Sequence, residues 1–219
     1  MSERPPLCPR CTKPHAICIC DRVEPVQTAL RVVMLQHPQE DDEILGTARL
    51  VELTLPNAQT RVGLSWGSLD HAIGIKDADK DRWAVLAAAK LQVEIPEDSR
   101  NQPVIVIDRR GRVRDSHRHG LDGIIVLDGT WSQAKTLWWR NAWLLRLPRV
   151  VLTPREPSMY GRLRKEPRRD YVSTLEAIAD VLPALGEPDE ARDNLRRLLR
   201  TLLQRARDLP NARKNGGAS

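Results

Sequence analysis

The sequence predicts an α/β fold: a mostly parallel sheet flanked by helices, with a small cysteine-bearing module at the amino end. Three observations carry that expectation. Short aliphatic runs bounded by turn residues recur along the chain, most plainly Ile124-Ile125-Val126-Leu127 between Gly123 and Asp128-Gly129. Consecutive aliphatics without alternation fit a strand covered on both faces, which is the habit of parallel sheets. Helical periodicity follows several of these runs and closes with a leucine stripe between Asp189 and Asp208. All four cysteines lie between Cys8 and Cys20.

A chain of 219 residues suits one domain with small appendages and is long enough for a substantial core. No run approaches the ~18 apolar residues of a membrane span, and MSERPPLCPR lacks the apolar region of a signal peptide. The expectation is a cytoplasmic protein with no membrane partner. The net charge of +6 favours an anionic partner, though charge alone does not separate RNA from DNA or a membrane surface.

Cys8-Pro9-Arg10-Cys11 and Cys18-Ile19-Cys20 are two close pairs. In a reducing compartment they read as tetrahedral Zn²⁺ ligation by Cys8, Cys11, Cys18 and Cys20, against the plainer reading of four free thiols. The single residue between Cys18 and Cys20 makes a knuckle, over residues 1–25, with Arg10, Lys13 and Arg22 available to RNA.

Leu30–Leu35 reads as the first core strand, stopped by Pro38. The acidic run from Glu40 to Glu43 opens a helix expected over Glu43–Leu53. His37 sits at the strand end, where it binds substrate, moves a proton or merely caps the loop; Arg49 is a candidate for phosphate. Arg61–Trp66 reads as a second strand, Trp83–Lys90 as a short helix, and Pro103–Asp108 as a buried strand. Arg109, Arg110, Arg112, Arg114 and Arg118 then crowd around Gly111, as a hairpin that either neutralises phosphates or is simply solvated.

Gly123–Leu127 is the central strand, and Asp128-Gly129 ends it in a turn, with Thr130 or Ser132 as cap of the next helix. Asp128 therefore lies at a carboxyl strand end beside a helix N-terminus, where open α/β sheets bind ligands, unless this is an ordinary junction. The helix from Ser132 to Asn141 carries Trp131, Ala134 and Trp138 on one face, assigned to the core rather than to a base-stacking platform. Val150–Leu152 is a last short strand. Arg155–Arg169 has six basic residues and no periodicity, so it reads as a functional or disordered loop. Ser173-Thr174-Leu175-Glu176 is a capping box opening a helix to about Leu185. Residues 187–209 form an amphipathic helix docked on the domain or serving a dimer contact, so monomer and homodimer both stand. Residues 210–219 read as a disordered tail.

Asp128-Gly129-Thr130-Trp131 carries the Asp-x-Thr-Trp signature. Together with the cysteines, Gln36-His37-Pro38-Gln39-Glu40 and Tyr171-Val172-Ser173-Thr174-Leu175-Glu176-Ala177, it resembles the DTW-domain family, the tRNA-uridine aminocarboxypropyltransferases. The likeness runs from about Cys8 to Ala179. It implies a SPOUT-like catalytic domain over 26–186, distantly akin to RNA methyltransferases whose late loops thread a knot around the cofactor. It also implies S-adenosyl-L-methionine as donor and transfer of the 3-amino-3-carboxypropyl group to N3 of a tRNA uridine. Carried onto this chain, Asp128 becomes the catalytic base. Leu127, Gly129, Thr130, Trp131, Pro154, Arg155, Ser173, Thr174 and Glu176 become candidates for the donor site. His37, Arg49, Arg110, Arg112, Arg114, Arg162, Arg164 and Lys165 become candidates for RNA. The rivals are a SPOUT-type methyltransferase and a noncatalytic zinc-containing RNA-binding protein.

Overall fold

The structure is a computed structural model that describes residues 6–40, 44–88, 102–114, 120–153, 157–160 and 172–209. In β1 (Arg31–Gln36), Val32 and Met34 face one way and Val33 and Leu35 the other, and all four are buried. A strand with two apolar faces needs cover on both sides, and this sheet has it. Its other strands are β2 (Ala58–Val62), β3 (Trp83–Ala88), β4 (Val104–Ile107), β5 (Gly123–Asp128) and β6 (Arg149–Leu152). The order is β2-β1-β5-β3-β6-β4, parallel throughout except for β4, which runs antiparallel to β6 at one edge.

One face is covered by α1 (Ala48–Thr54), α4 (Thr174–Val181) and α5 (Asp189–Asp208). The other is covered by α2 (Leu69–Ile73) and α3 (Trp131–Arg140). On α5, Leu195, Leu198, Leu199, Leu202, Leu203 and Ala206 are all buried, so the predicted stripe docks on its own domain. Asp189 and Glu190 at its start and Arg205 and Arg207 at its end match the helix macrodipole. Among the described residues no helix is long and apolar enough to cross a membrane.

Several boundaries differ from expectation. Trp83–Ala88 is a strand between β5 and β6, not a helix. A short apolar run satisfies either periodicity, and here the decision belongs to the neighbouring strands. The fit is close: a Cβ on Gly123 would lie 2.5 Å from the Trp83 ring and 2.8 Å from the Arg31 carbonyl oxygen. The second strand is Ala58–Val62 rather than Arg61–Trp66, with Trp66 buried in the loop that follows. The helix expected from Glu43 begins at Ala48; Ile44 is half exposed in a turn and residue 43 lies outside the described range.

Helix α3 begins at Trp131 with Thr130, not Ser132, as cap. Trp138 is buried as expected, but Trp131 is 41% exposed. It stands where the helix starts, at the rim of the sheet, so its helical phase does not bring it under cover. The stretches 154–156 and 161–171, on which the knot and most of the basic loop fall, lie outside the described residues, as does the tail.

Candidate active site

Parallel pairing puts Gln36, the last residue of β1, opposite Asp128, the last of β5. Their side chains meet: Gln36 Nε2 donates to Asp128 Oδ2 at 2.7 Å. The ladder continues one step, with His37 N–H donating to the Asp128 carbonyl at 3.1 Å. From the start of α4, the Thr174 hydroxyl donates to Asp128 Oδ1 at 2.6 Å. The carboxylate is thus fixed from two segments far apart in sequence, and Asp128 as a residue is only 7% exposed.

Gly129 is required at the turn out of β5. Its φ is +145°, and a Cβ there would lie 2.8 Å from Gln133 Oε1. Thr130 and Gln133 form a capping box: Thr130 N–H donates to Gln133 Oε1 at 2.6 Å and Gln133 N–H to Thr130 Oγ1 at 3.4 Å. Gln133 Nε2 reaches across to the Gln39 carbonyl at 3.1 Å, tying the two motif loops together. His37 is buried, and its Nδ1 accepts from Gln39 N–H at 3.2 Å. That bond makes His37 a loop cap and places the proton of a neutral imidazole on Nε2, the atom left for any ligand.

The Ser173 capping box is present, but Glu176 has a larger part in the fold than a cap. Its buried carboxylate accepts from Ser173 N–H at 2.9 Å, Ser173 Oγ at 2.8 Å, Ser158 Oγ at 2.8 Å and Met159 N–H at 2.6 Å. Tyr160, fully buried, donates its hydroxyl to the Leu45 carbonyl at 2.8 Å. Glu176 and Tyr160 therefore strap the described part of the basic loop to α4 and to the turn before α1. Sequence reasoning assigned no role to Gln36, Gln133, Ser158 or Tyr160. Gln36, inside a quoted motif, carried a signal, and so did Gln133, three residues after Thr130 at the capping-box spacing.

The other predicted residues are dispersed. Leu127 is half-buried against the α2–α3 face. Arg49 donates to the Arg10 carbonyl at 2.9 Å and pairs with Glu52 at 2.8 Å, joining α1 to the cysteine knuckle. Arg112 and Arg114 both bond Asp108, at 2.9 and 3.3 Å, while Arg110 is exposed. The N–H of Arg112, its guanidinium and the N–H of Arg110 hold the Asp108 carboxyl well below the usual carboxylate range. Because β4 is antiparallel, this hairpin lies towards the amino ends of the parallel strands, away from Asp128. It also stands three strands from β5, about 14 Å at the usual strand spacing. Pro154, Arg155, Arg162, Arg164 and Lys165 lie outside the described residues.

The cysteine cluster has the dimensions of a metal site. All four sulfurs lie within 4.8 Å of one another, and the Cys8–Cys20 and Cys11–Cys18 separations are both 3.7 Å. A tetrahedron with Zn–S bonds of about 2.3 Å has edges of about 3.8 Å, so the residues fit a Zn²⁺ ion. The N–H groups of Cys11 and Arg10 lower the Cys8 thiol to about 6, whereas burial and the neighbouring sulfurs push Cys20 up. A divalent cation would ease that conflict, since each sulfur could be deprotonated against the metal, which offsets two of the four charges. The knuckle shares the core: Ile17 and Ile19 are fully buried with α5, and Arg205 donates to the Cys18 carbonyl and pairs with Asp21 at 2.9 Å.

The fold is an α/β domain, with a buried carboxylate and two helix starts gathered at the carboxyl edge of its mostly parallel sheet, the edge at which such domains bind ligands. The sequence profile of the DTW domain matches residues 5–207, and the chain belongs to the DTW-domain family. It is 28% identical over 209 residues to tRNA-uridine aminocarboxypropyltransferase 2 of Mus musculus, covering 92% of this chain and 63% of that protein. The Drosophila melanogaster protein of the same name is 30% identical over 197 residues, covering 89% of this chain and 72% of that one. tRNA-uridine aminocarboxypropyltransferase A of Arabidopsis thaliana is 29% identical over 205 residues, covering 85% and 75%. The chain thus spans somewhat less than two thirds of the mouse relative's length. No solved structure gives a significant match.

Proposed function

We propose that this protein transfers the 3-amino-3-carboxypropyl group of S-adenosyl-L-methionine to N3 of a uridine in tRNA. The observation that carries the reading is the Asp128 carboxylate, held by Gln36 and Thr174 where three family motifs converge. The names of the relatives support the acceptor and the group transferred. A SPOUT-like arrangement of the loops after β6 belongs to the same reading, as does a cytoplasmic location suited to four reduced cysteines.

Uridine N3 is a weak nucleophile while it carries its proton, so the reaction needs a positioned base. Asp128 takes that proton. Gln36 and Thr174 orient the carboxylate and leave lone pairs on both oxygens for the imide N–H. The N3–carbon bond forms as the carbon–sulfur bond breaks, and methylthioadenosine leaves with the bonding electrons. The starts of α3 and α4 present N–H groups and positive dipole ends suited to the carboxylate of the donor's methionyl chain, with Arg155 as a further partner. Zn²⁺ on Cys8, Cys11, Cys18 and Cys20 is structural, holding the knuckle against α1 and α5.

Isotope partition tests this directly. Label in the donor's carboxyl carbon enters tRNA, while label in its methyl group leaves with methylthioadenosine. Methyl label in the RNA with none from the carboxyl carbon makes the protein a methyltransferase. Absence of donor binding in calorimetry makes it a noncatalytic RNA-binding protein.

A further inference from the structure

Helix α3 has two unlike sides. Leu137 and Trp138 bury the inner one, with the Arg149 guanidinium 5.7 Å from the Trp138 ring centre. The outer side carries Trp131, Lys135 and Trp139 at steps of four residues, which places them on one face over about 12 Å. Trp139 is 71% exposed and Trp131 41%. A tryptophan left largely in water is a large apolar surface that the domain's own packing does not use. The face is also cationic by composition: no Asp or Glu occurs between Gly129 and Arg155, while Lys135 and Arg140 are exposed on α3. The stripe starts at Trp131, next to the capping residue Thr130 and three residues after Asp128, so it adjoins the candidate site.

The geometry points to the solvent face of α3 as a stacking surface for unpaired nucleotides of the RNA, next to the reacting uridine. This rests on the function proposed above and names how its RNA is held. Exposed aromatics interleaved with cations suit single strands, because every base has a face to stack while the cation meets the phosphate. The basic hairpin after β4 lacks that combination among the described residues: there it offers charge without an aromatic, and Arg112 and Arg114 are already bonded to Asp108. A second copy of this chain is a poorer occupant, since two such faces would bring Lys135 and Arg140 against their own kind.

The test is tRNA affinity, by filter binding over a salt series, for the full chain and for Trp139→Ala, Trp139→Tyr and Lys135→Ala. Trp139→Ala weakens binding by roughly five- to a hundred-fold, and Trp139→Tyr, which keeps a stacking face, loses much less. Lys135→Ala lowers the salt slope by about one. Donor binding, followed by calorimetry, stays unchanged in all three. If the unaltered protein transfers the group to tRNA and Trp139→Ala binds tRNA as well as it does, the stacking surface is wrong and the function stands. Equal losses in the Ala and Tyr variants also overturn stacking. If the unaltered protein neither binds nor modifies tRNA, the proposed function fails and takes this proposal with it. A dimer in sedimentation that Trp139→Ala dissociates, with tRNA affinity unchanged, reassigns the face to a second copy.

Discussion

Asp128 and Glu176 are both buried carboxylates inside family motifs, 7% and 2% exposed, yet their surroundings differ. Glu176 accepts from Ser158, Met159 and twice from Ser173, three bonds on Oε2 and one on Oε1, so the protein itself supplies as many donors as a carboxylate has lone-pair sites. Asp128 accepts side-chain bonds from Gln36 and Thr174, one on each oxygen, and keeps acceptor capacity. One motif carboxylate thus belongs to the chemistry and the other to the scaffold. A saturated carboxylate holds the fold together, and one fixed but unsaturated is equipped to meet a ligand.

The largest expected effect is that of Asp128→Asn. The amide fits the same contacts, with its oxygen towards Gln36 and its NH₂ towards the Thr174 hydroxyl, which rotates to accept. Transfer to tRNA falls by about 10²–10⁴-fold while the melting temperature changes little. Near-normal turnover would remove Asp128 from proton transfer, and loss of donor binding with the fold intact would make it a donor ligand.

The knuckle is scaffold by the same reasoning. Cys18→Ser breaks a four-sulfur set whose metal supplies folding energy to a segment with little core of its own. One equivalent of zinc by elemental analysis becomes none, thermal stability falls clearly, and donor affinity in the folded fraction changes little. Protein prepared without chelators that contains no zinc would refute the site.

Glu176→Gln sharpens the other arm. One oxygen becomes an NH₂ that faces at least one donor, so stability falls by about 1–3 kcal/mol. Denaturant unfolding detects that loss, and turnover of the folded protein falls less than in Asp128→Asn. A variant as stable as the parent but inactive would reverse the two assignments.

The smallest effect belongs to Asp108, a third carboxylate, near the surface. Its proton affinity is depressed in the fold, so its contribution is complete above the ordinary carboxylate value near ~4 and is lost as pH falls through the lower folded value. The Arg112 and Arg114 amides, which bond Asp108 and Val106, therefore lose exchange protection in acid and stay protected at neutral pH. Asp108→Asn weakens that protection at neutral pH with almost no change in global stability.

By itself the sequence determined whatever depends on neighbours within about four residues or on a run of one residue type. The central strand, a helix cap at Thr130 or Ser132, the capping box at Ser173, the cysteine quartet and the helix from Asp189 to Asp208 are all of that kind. Their physics is local: caps join residues three apart, and an amphipathic stripe is visible as a spacing. Tertiary structure alone decided the rest. Trp83–Ala88 became a strand because β5 and β6 offered it two ladders, which no periodicity in six residues records. Asp128 met Gln36 across 92 residues and Thr174 across 46, because strand order and the docking of α4 brought them to one edge. The same strand order sent the basic hairpin to the other end of the sheet and left Trp139 largely in water and Trp131 partly exposed. Which face of a helix is covered depends on what packs against it, and that is a property of the whole chain.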